Sequence, residues 1–123
     1  MEDVQIQLAA MWVALMLTYL LGDVLRIFAG HATPGQMGGV TAKPWMWMAA
    51  AAVMLVPIVM VVMSVTFDGT PAQWAHLGAA AALFAFNLFG LPGYPGAYDR
   101  FLIAVGLGFN VLTFWTAWNW ATP

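Results

Sequence analysis

The sequence predicts an all-α integral membrane protein, an antiparallel bundle of four transmembrane helices. Three observations carry that expectation. Hydrophobic residues make up 63% of the 123-residue chain and charged residues only 7%, against about 25% charged in an ordinary soluble domain. The apolar residues gather into four segments, each about the 20 residues that a helix needs to cross ~30 Å of hydrocarbon. Clusters of Gly, Pro and Asp separate these segments, as breakers between helices do. A β-barrel would alternate polar and apolar positions over about ten residues, and "AAAAVMLVPIVMVVM" does not alternate.

The first predicted helix runs from 8 to 28, between the acidic "MEDVQIQ" and the Gly- and Pro-rich "HATPGQMGGVTAK". A cleavable signal peptide has a basic start and a small-residue cleavage site; neither is evident, so this segment reads as a retained helix. The second helix, 44 to 67, opens on Pro44, a favourable first helical residue. Pro57 near its middle removes one backbone hydrogen bond and predicts a kink. Asp68, Gly69 and Pro71 end it. The third helix runs from 71 to 90, and "GLPGYPG" follows as a turn. The fourth runs from 98 to 120. Short connections place consecutive helices antiparallel in a single domain.

The three cations set the expected orientation. Arg26 and Lys43 flank the first loop and Arg100 flanks the third. The positive-inside rule then puts both loops in the cytoplasm and both termini outside. Trp45, Trp47, Trp74 and the run "FWTAWNW" fall at segment ends, where indole rings anchor helices at the headgroup boundary.

Polar residues inside apolar helices are costly and therefore informative. Trp12, Met16, Tyr19, Asp23 and Arg26 form one stripe on the first helix. His76, Ala80, Leu83 and Asn87 share a face of the third, and Gly106, Asn110, Thr113 and Ala117 a face of the fourth. Asp99 and Arg100 open the fourth helix at the membrane side where Asp23 and Arg26 close the first. Two cross-pairs follow as an expectation, Asp23 with Arg100 and Asp99 with Arg26. They either clamp the two helices or polarise a shared pocket. The candidate polar or ligand-binding residues are thus Tyr19, Asp23, Arg26, Asn87, Asp99, Arg100 and Asn110. Asn87 and Asn110 read equally as buried interhelical contacts, and His76 as an interfacial histidine.

Several functions find no support. A net charge of −2 gives no sign of a nucleic-acid partner. Without Cys there are no disulfides, thiolate metal sites or Cys nucleophiles. His76 and Asn87 stand about 16 Å apart along their helix, and His31 lies in the opposite loop, so no metal site is expected. No phosphate loop, metalloprotease motif or Ser/His/Asp set is present. No cofactor and no catalytic residue are assigned.

The start "MEDVQIQLAAMWVALMLTYLLGDVLRIF", with Trp12, Tyr19, Gly22 and Asp23, resembles an uncharacterised family of small four-helix bacterial membrane proteins, a domain of unknown function. "VPIVMVVMSVTF", with Pro57 and Ser64, resembles its second helix. "WTAWNWATP", with Trp115, Ala117, Trp118 and Trp120, resembles its Trp-rich tail. The Gly-rich first loop and Arg26 depart from the pattern. The resemblance implies a four-helix fold in the bacterial inner membrane and brings no activity with it. A looser likeness is to DoxX-like four-helix proteins, some of which accompany quinone-linked oxidoreductases; it speaks to fold alone.

The leading functional expectation is a non-enzymatic membrane protein, accessory or lipophilic-ligand-binding. Its polar cluster lies near one membrane face, and a lipid or quinone-like molecule is the ligand class. The alternatives are a homo-oligomeric channel or transporter subunit lined by Tyr19, Asp23, Asn87 and Asn110, and a lipid- or quinone-linked enzyme using Asp23 with Tyr19. Expected partners are the bilayer and a second copy or a membrane complex.

Overall fold

A computed structural model describes residues 3–31, 33, 35–37, 40–90 and 96–120. Among them are four helices, α1 (Asp3–Phe28), α2 (Pro44–Thr66), α3 (Gly69–Gly90) and α4 (Ala97–Trp118), and a two-stranded ribbon, β1 (Gln36–Met37) and β2 (Val40–Thr41). The strands pair antiparallel, with Gln36 opposite Thr41 and Met37 opposite Val40, inside the segment that the sequence analysis treats as plain loop. The turn expected over "GLPGYPG" lies largely outside the described residues.

Three helices, α1, α2 and α4, are long and apolar enough to cross a membrane. With 26, 23 and 22 residues, they measure about 39, 35 and 33 Å at 1.5 Å per residue. The third span of the sequence expectation, α3, matches α4 in length but falls short in hydropathy. It is rich in Ala and carries Thr70, Gln73, His76 and Asn87.

Helix α1 begins at Asp3 rather than near Leu8. An acidic residue in the first turn suits the positive end of the helix dipole. The Gln5 side chain then ties this start to the end of α2, donating to the Phe67 carbonyl at 3.1 Å. At its other end α1 closes in a Schellman motif. His31 N–H donates to the Arg26 carbonyl at 3.0 Å and Gly30 N–H to Ile27 at 3.1 Å. Gly30 sits at φ +77°, which a residue with a Cβ adopts only under strain.

Helix α1 packs along α2 and α4, and α4 packs along α3; α2 and α3 touch only sparsely. The start of α3 meets the end of α4. There the Gln73 amide donates to the carbonyls of Ala117, Trp118 and Trp120 at 2.8, 3.3 and 3.0 Å, which a helix C-terminus otherwise leaves unpaired. Two apolar clusters fill the interior. One joins Leu8, Ala72, Leu77, Ala117 and Trp120. The other joins Trp12, Leu15, Met60, Ala80 and Leu83. Helix α2 runs on through the buried Pro57, and the buried Ser64 hydroxyl bonds back to the Met60 carbonyl at 2.6 Å.

The outward faces are apolar. Leu17, Leu20, Ile27, Leu55, Val62, Phe86 and Val111 are all exposed. Trp45, Trp47, Trp74, Trp115 and Trp118 are exposed near helix ends, while Trp12 and Trp120 are buried. Trp74 and Trp118 meet edge to face, and Phe114 stacks on Trp118.

Candidate functional site

On α3 and α4 the stripes read from residue spacing turn inward, whereas of the α1 stripe only Trp12 is buried, alongside Gln5, Leu8, Leu15 and Gly22. Ala80, Leu83 and His76 are buried on α3, as are Gly106, Asn110, Thr113 and Ala117 on α4. The packing of α1 against α4 then brings the last turn of one to the first turn of the other.

Arg26 is the hub of that junction. Its Nε donates to Asp99 Oδ1 at 3.0 Å, and its Nη2 lies 3.0 Å from Asp23 Oδ1 on the same helix. The guanidinium therefore bridges two carboxylates. Both ends of the α1–α4 pair suit their helix dipoles, with a cation in the last turn of α1 and a carboxylate in the first turn of α4. Asp99 is 1% exposed, and its Oδ2 has no hydrogen-bond partner among the described residues. Asp23 is 48% exposed at its side chain.

The expected cross-pairing is thus half present. Arg26 joins Asp99, whereas Asp23 pairs with Arg26 instead of Arg100. Adjacent helical residues point about 100° apart, so Asp99 and Arg100 cannot both face α1. Asp99 turns inward and Arg100 lies exposed.

Deeper along the bundle Asn87 Nδ2 donates to the Tyr19 hydroxyl, linking α3 to α1. Between this pair and the ionic bridge lies a cavity of about 100 Å³. Its polar lining is Thr18, Tyr19, Asp23, Arg26, Asn87 and Asp99. Val53 and Met54 of α2, Leu83 and Phe86 of α3, and Leu102 and Ile103 of α4 supply its apolar walls. All four helices contribute to it. Gly22 also lines it, and a Cβ at that position would meet Arg26 Nη2 at 3.4 Å and Asp99 Oδ1 at 3.9 Å. A longer side chain would therefore push on the ionic bridge. From Tyr19 to Arg26 the site extends about 10 Å along the helix axis.

Five of the seven candidate residues, Tyr19, Asp23, Arg26, Asn87 and Asp99, line this one cavity. Asn110 does not. It is buried, with its amide beside the Tyr19 hydroxyl. It lines a separate apolar groove of about 300 Å³ with Ala80, Ala81 and Phe84 of α3 and Val111, Phe114 and Trp115 of α4. Near the Arg26–Asp99 pair lies one contact that spacing did not suggest. His31 and Tyr98 share a 2.7 Å hydrogen bond, with their rings stacked.

At the opposite end His76 is a core residue instead of the interfacial one expected. It is fully buried, and its Nδ1 accepts a 2.9 Å hydrogen bond from Trp12 Nε1. That bond leaves the proton of the neutral ring on Nε2, which has no partner among the described residues, and the ring of Trp120 packs at a tilt against the imidazole. No group of three His, Cys, Asp or Glu side chains able to hold a metal ion is found among the described residues. Comparison of the chain with family models, curated proteins and solved structures finds no match.

Proposed function

We propose that this chain is a small integral protein of a bacterial inner membrane that binds a lipophilic ligand without transforming it. The four helices form an antiparallel transmembrane bundle, with the first and third loops cytoplasmic and both termini outside. The end-to-end contacts Gln5–Phe67, Arg26–Asp99 and Gln73–Trp120 support the antiparallel order. The exposed Leu, Val, Phe and Trp side chains support membrane integration, because water would oppose so much apolar surface. The charge placement supports the orientation, and a tag-accessibility assay that found both termini cytoplasmic would overturn it.

The observation that carries the ligand reading is the cavity beneath the ionic bridge. Buried charges are costly unless paired and hydrogen-bonded. Here the pairing holds the charges at the edge of a space instead of filling it. About 100 Å³ holds the polar head of a lipid or quinone-like molecule, or about three waters at ~30 Å³ each. The rest of such a ligand lies along the apolar outer surface. Binding is favoured over catalysis because Asp23 and Tyr19, the acid–base pair an enzyme would need, are each already engaged, by Arg26 and by Asn87.

Native mass spectrometry of the full chain released from detergent tests this. The expected spectrum contains one lipophilic adduct per protomer. Thr18→Phe, which fills the cavity from α1, reduces that adduct at least tenfold. The absence of any adduct, or an equal adduct in the variant, overturns the proposal.

A further inference from the structure

We infer that the polar group received by this cavity is a hydroxyl, an uncharged hydrogen-bond donor. The inference rests on the ligand-binding reading above and names the chemistry of its ligand. Three uncharged polar residues, Thr18, Tyr19 and Asn87, line the cavity among the described residues. What they offer a ligand follows from where their own protons go.

A threonine hydroxyl has one proton, and that of Thr18 goes to the Ala14 carbonyl of its own helix at 2.7 Å. Its lone pairs remain. The Tyr19 oxygen accepts from Asn87 Nδ2, so the phenol places its own proton on another acceptor. The Asn110 amide lies beside that hydroxyl from α4 and is 1% exposed. A buried amide oxygen calls for a donor, and the Tyr19 proton supplies it. The proton order is then Asn87 to Tyr19 to Asn110. Asn87 spends one N–H in it, and its amide oxygen takes no part. The neutral lining is therefore richer in acceptors than in donors.

The charged residues do not reverse this balance. Arg26 directs its guanidinium at Asp99 and Asp23, and the half-exposed Asp23 carboxylate is itself an acceptor. A carbonyl oxygen, as in an ester or a quinone, would set lone pair against lone pair. A hydroxyl supplies the donor that these acceptors lack. Being uncharged, it enters between Leu83, Phe86 and Leu102 without the desolvation cost of an ion. It is also small enough for about 100 Å³.

The hydroxyl belongs to a lipid alcohol or to a quinol, and the test separates them. The full chain in nonionic detergent is titrated without oxygen with two matched pairs, and adducts are read by native mass spectrometry. One pair is a diacylglycerol and its 3-O-methyl ether, the other an alkyl benzoquinol and its quinone. The hydroxyl member is expected to bind about tenfold more tightly than its partner, the worth of one buried hydrogen bond. The pair that discriminates names the source; where both do, the tighter hydroxyl member names it. Asn110→Ala deprives the Tyr19 proton of its acceptor and lets it turn to the cavity. The preference should then fall to within about threefold through tighter binding of the ether or the quinone, which a loss of packing alone would not give. If that variant does not fold, Tyr19→Phe deletes the oxygen and is expected to lose the preference through weaker binding of the hydroxyl member. Equal binding within both pairs, a preference for the ether or the quinone, or a preference unchanged in the variants overturns the inference. In that event an adduct that Thr18→Phe removes still leaves the ligand-binding proposal standing, whereas no adduct at all removes both.

Discussion

The two ends of the bundle handle buried polar groups in opposite ways. At the Trp12 end large side chains fill the space around the polar groups, even where His76 Nε2 has no hydrogen-bond partner among the described residues. Trp12 donates its N–H to His76 and packs beside it, Trp120 packs against the same imidazole, and Gln73 serves three carbonyls at once. At the Arg26 end the polar groups are linked edge to edge by slender contacts, and a cavity lies beneath them. Aromatic partners close a site because each hydrogen bond arrives with a large apolar surface. A guanidinium between two carboxylates fixes geometry with little volume. Buried polar residues thus give a closely packed core at one end and a cavity at the other.

This comparison breaks first at the closely packed end. Trp12→Ala deletes a fully buried ring and strands His76 Nδ1. The expected cost is about 4 kcal/mol, the value typical of a large side chain removed from a packed core. Reversible unfolding in mixed micelles of a mild detergent and dodecyl sulfate measures it. The ligand adduct of the folded fraction is expected to be unchanged, since Trp12 does not line the polar cavity. A loss below about 1 kcal/mol, or a coupled loss of ligand, would mean that the two ends are not the separate regions described here.

The open end is expected to respond in both readouts. Asp99→Ala removes the buried partner of Arg26 and keeps its pairing with the half-exposed Asp23. Breaking a buried pair in this way costs about 3 kcal/mol, and the ligand adduct should fall at least tenfold. Stability that drops while the adduct stays would make the ion pair a clamp alone, separate from the site.

Much of this contrast was legible in the sequence, and the rest was hidden for identifiable reasons. Spacing of three and four residues picks out one face of a helix. It thereby found the buried sides of α3 and α4 and the approach of Arg26 to Asp99. It could not assign Arg100, because the question was rotational: the residue after an inward Asp99 must turn away. Nor could it bring Trp12 to His76. Both residues point inward, but which inward residues meet depends on the order of helices around the bundle. Helices apolar on every side, such as α2, do not encode that order in their composition. The Gln5 and Gln73 contacts were missed because a glutamine at the polar edge of an apolar segment looks like a solvated flank. The cavity itself is lined from all four helices, and no residue pattern announces a gap.

The smallest expected effect sharpens the comparison most. Asp23 is the carboxylate of the bridge nearest solvent, 48% exposed, against 1% for Asp99, and it pairs with Arg26 only one turn away on its own helix. Its contribution therefore resembles that of a surface helix pair, about 0.5 kcal/mol or less, and should shrink further as salt is raised. Asp23→Asn leaves Arg26 bound to Asp99 and so leaves α1 tied to α4. The micelle unfolding assay should show a change near its resolution at low salt and none at high salt. A loss of about 2 kcal/mol or more would assign the helix clamp to Asp23, as the pairing with Arg100 once suggested by the sequence requires. A negligible loss places the clamp in the buried Arg26–Asp99 pair and leaves Asp23 free to meet a ligand at the mouth of the cavity.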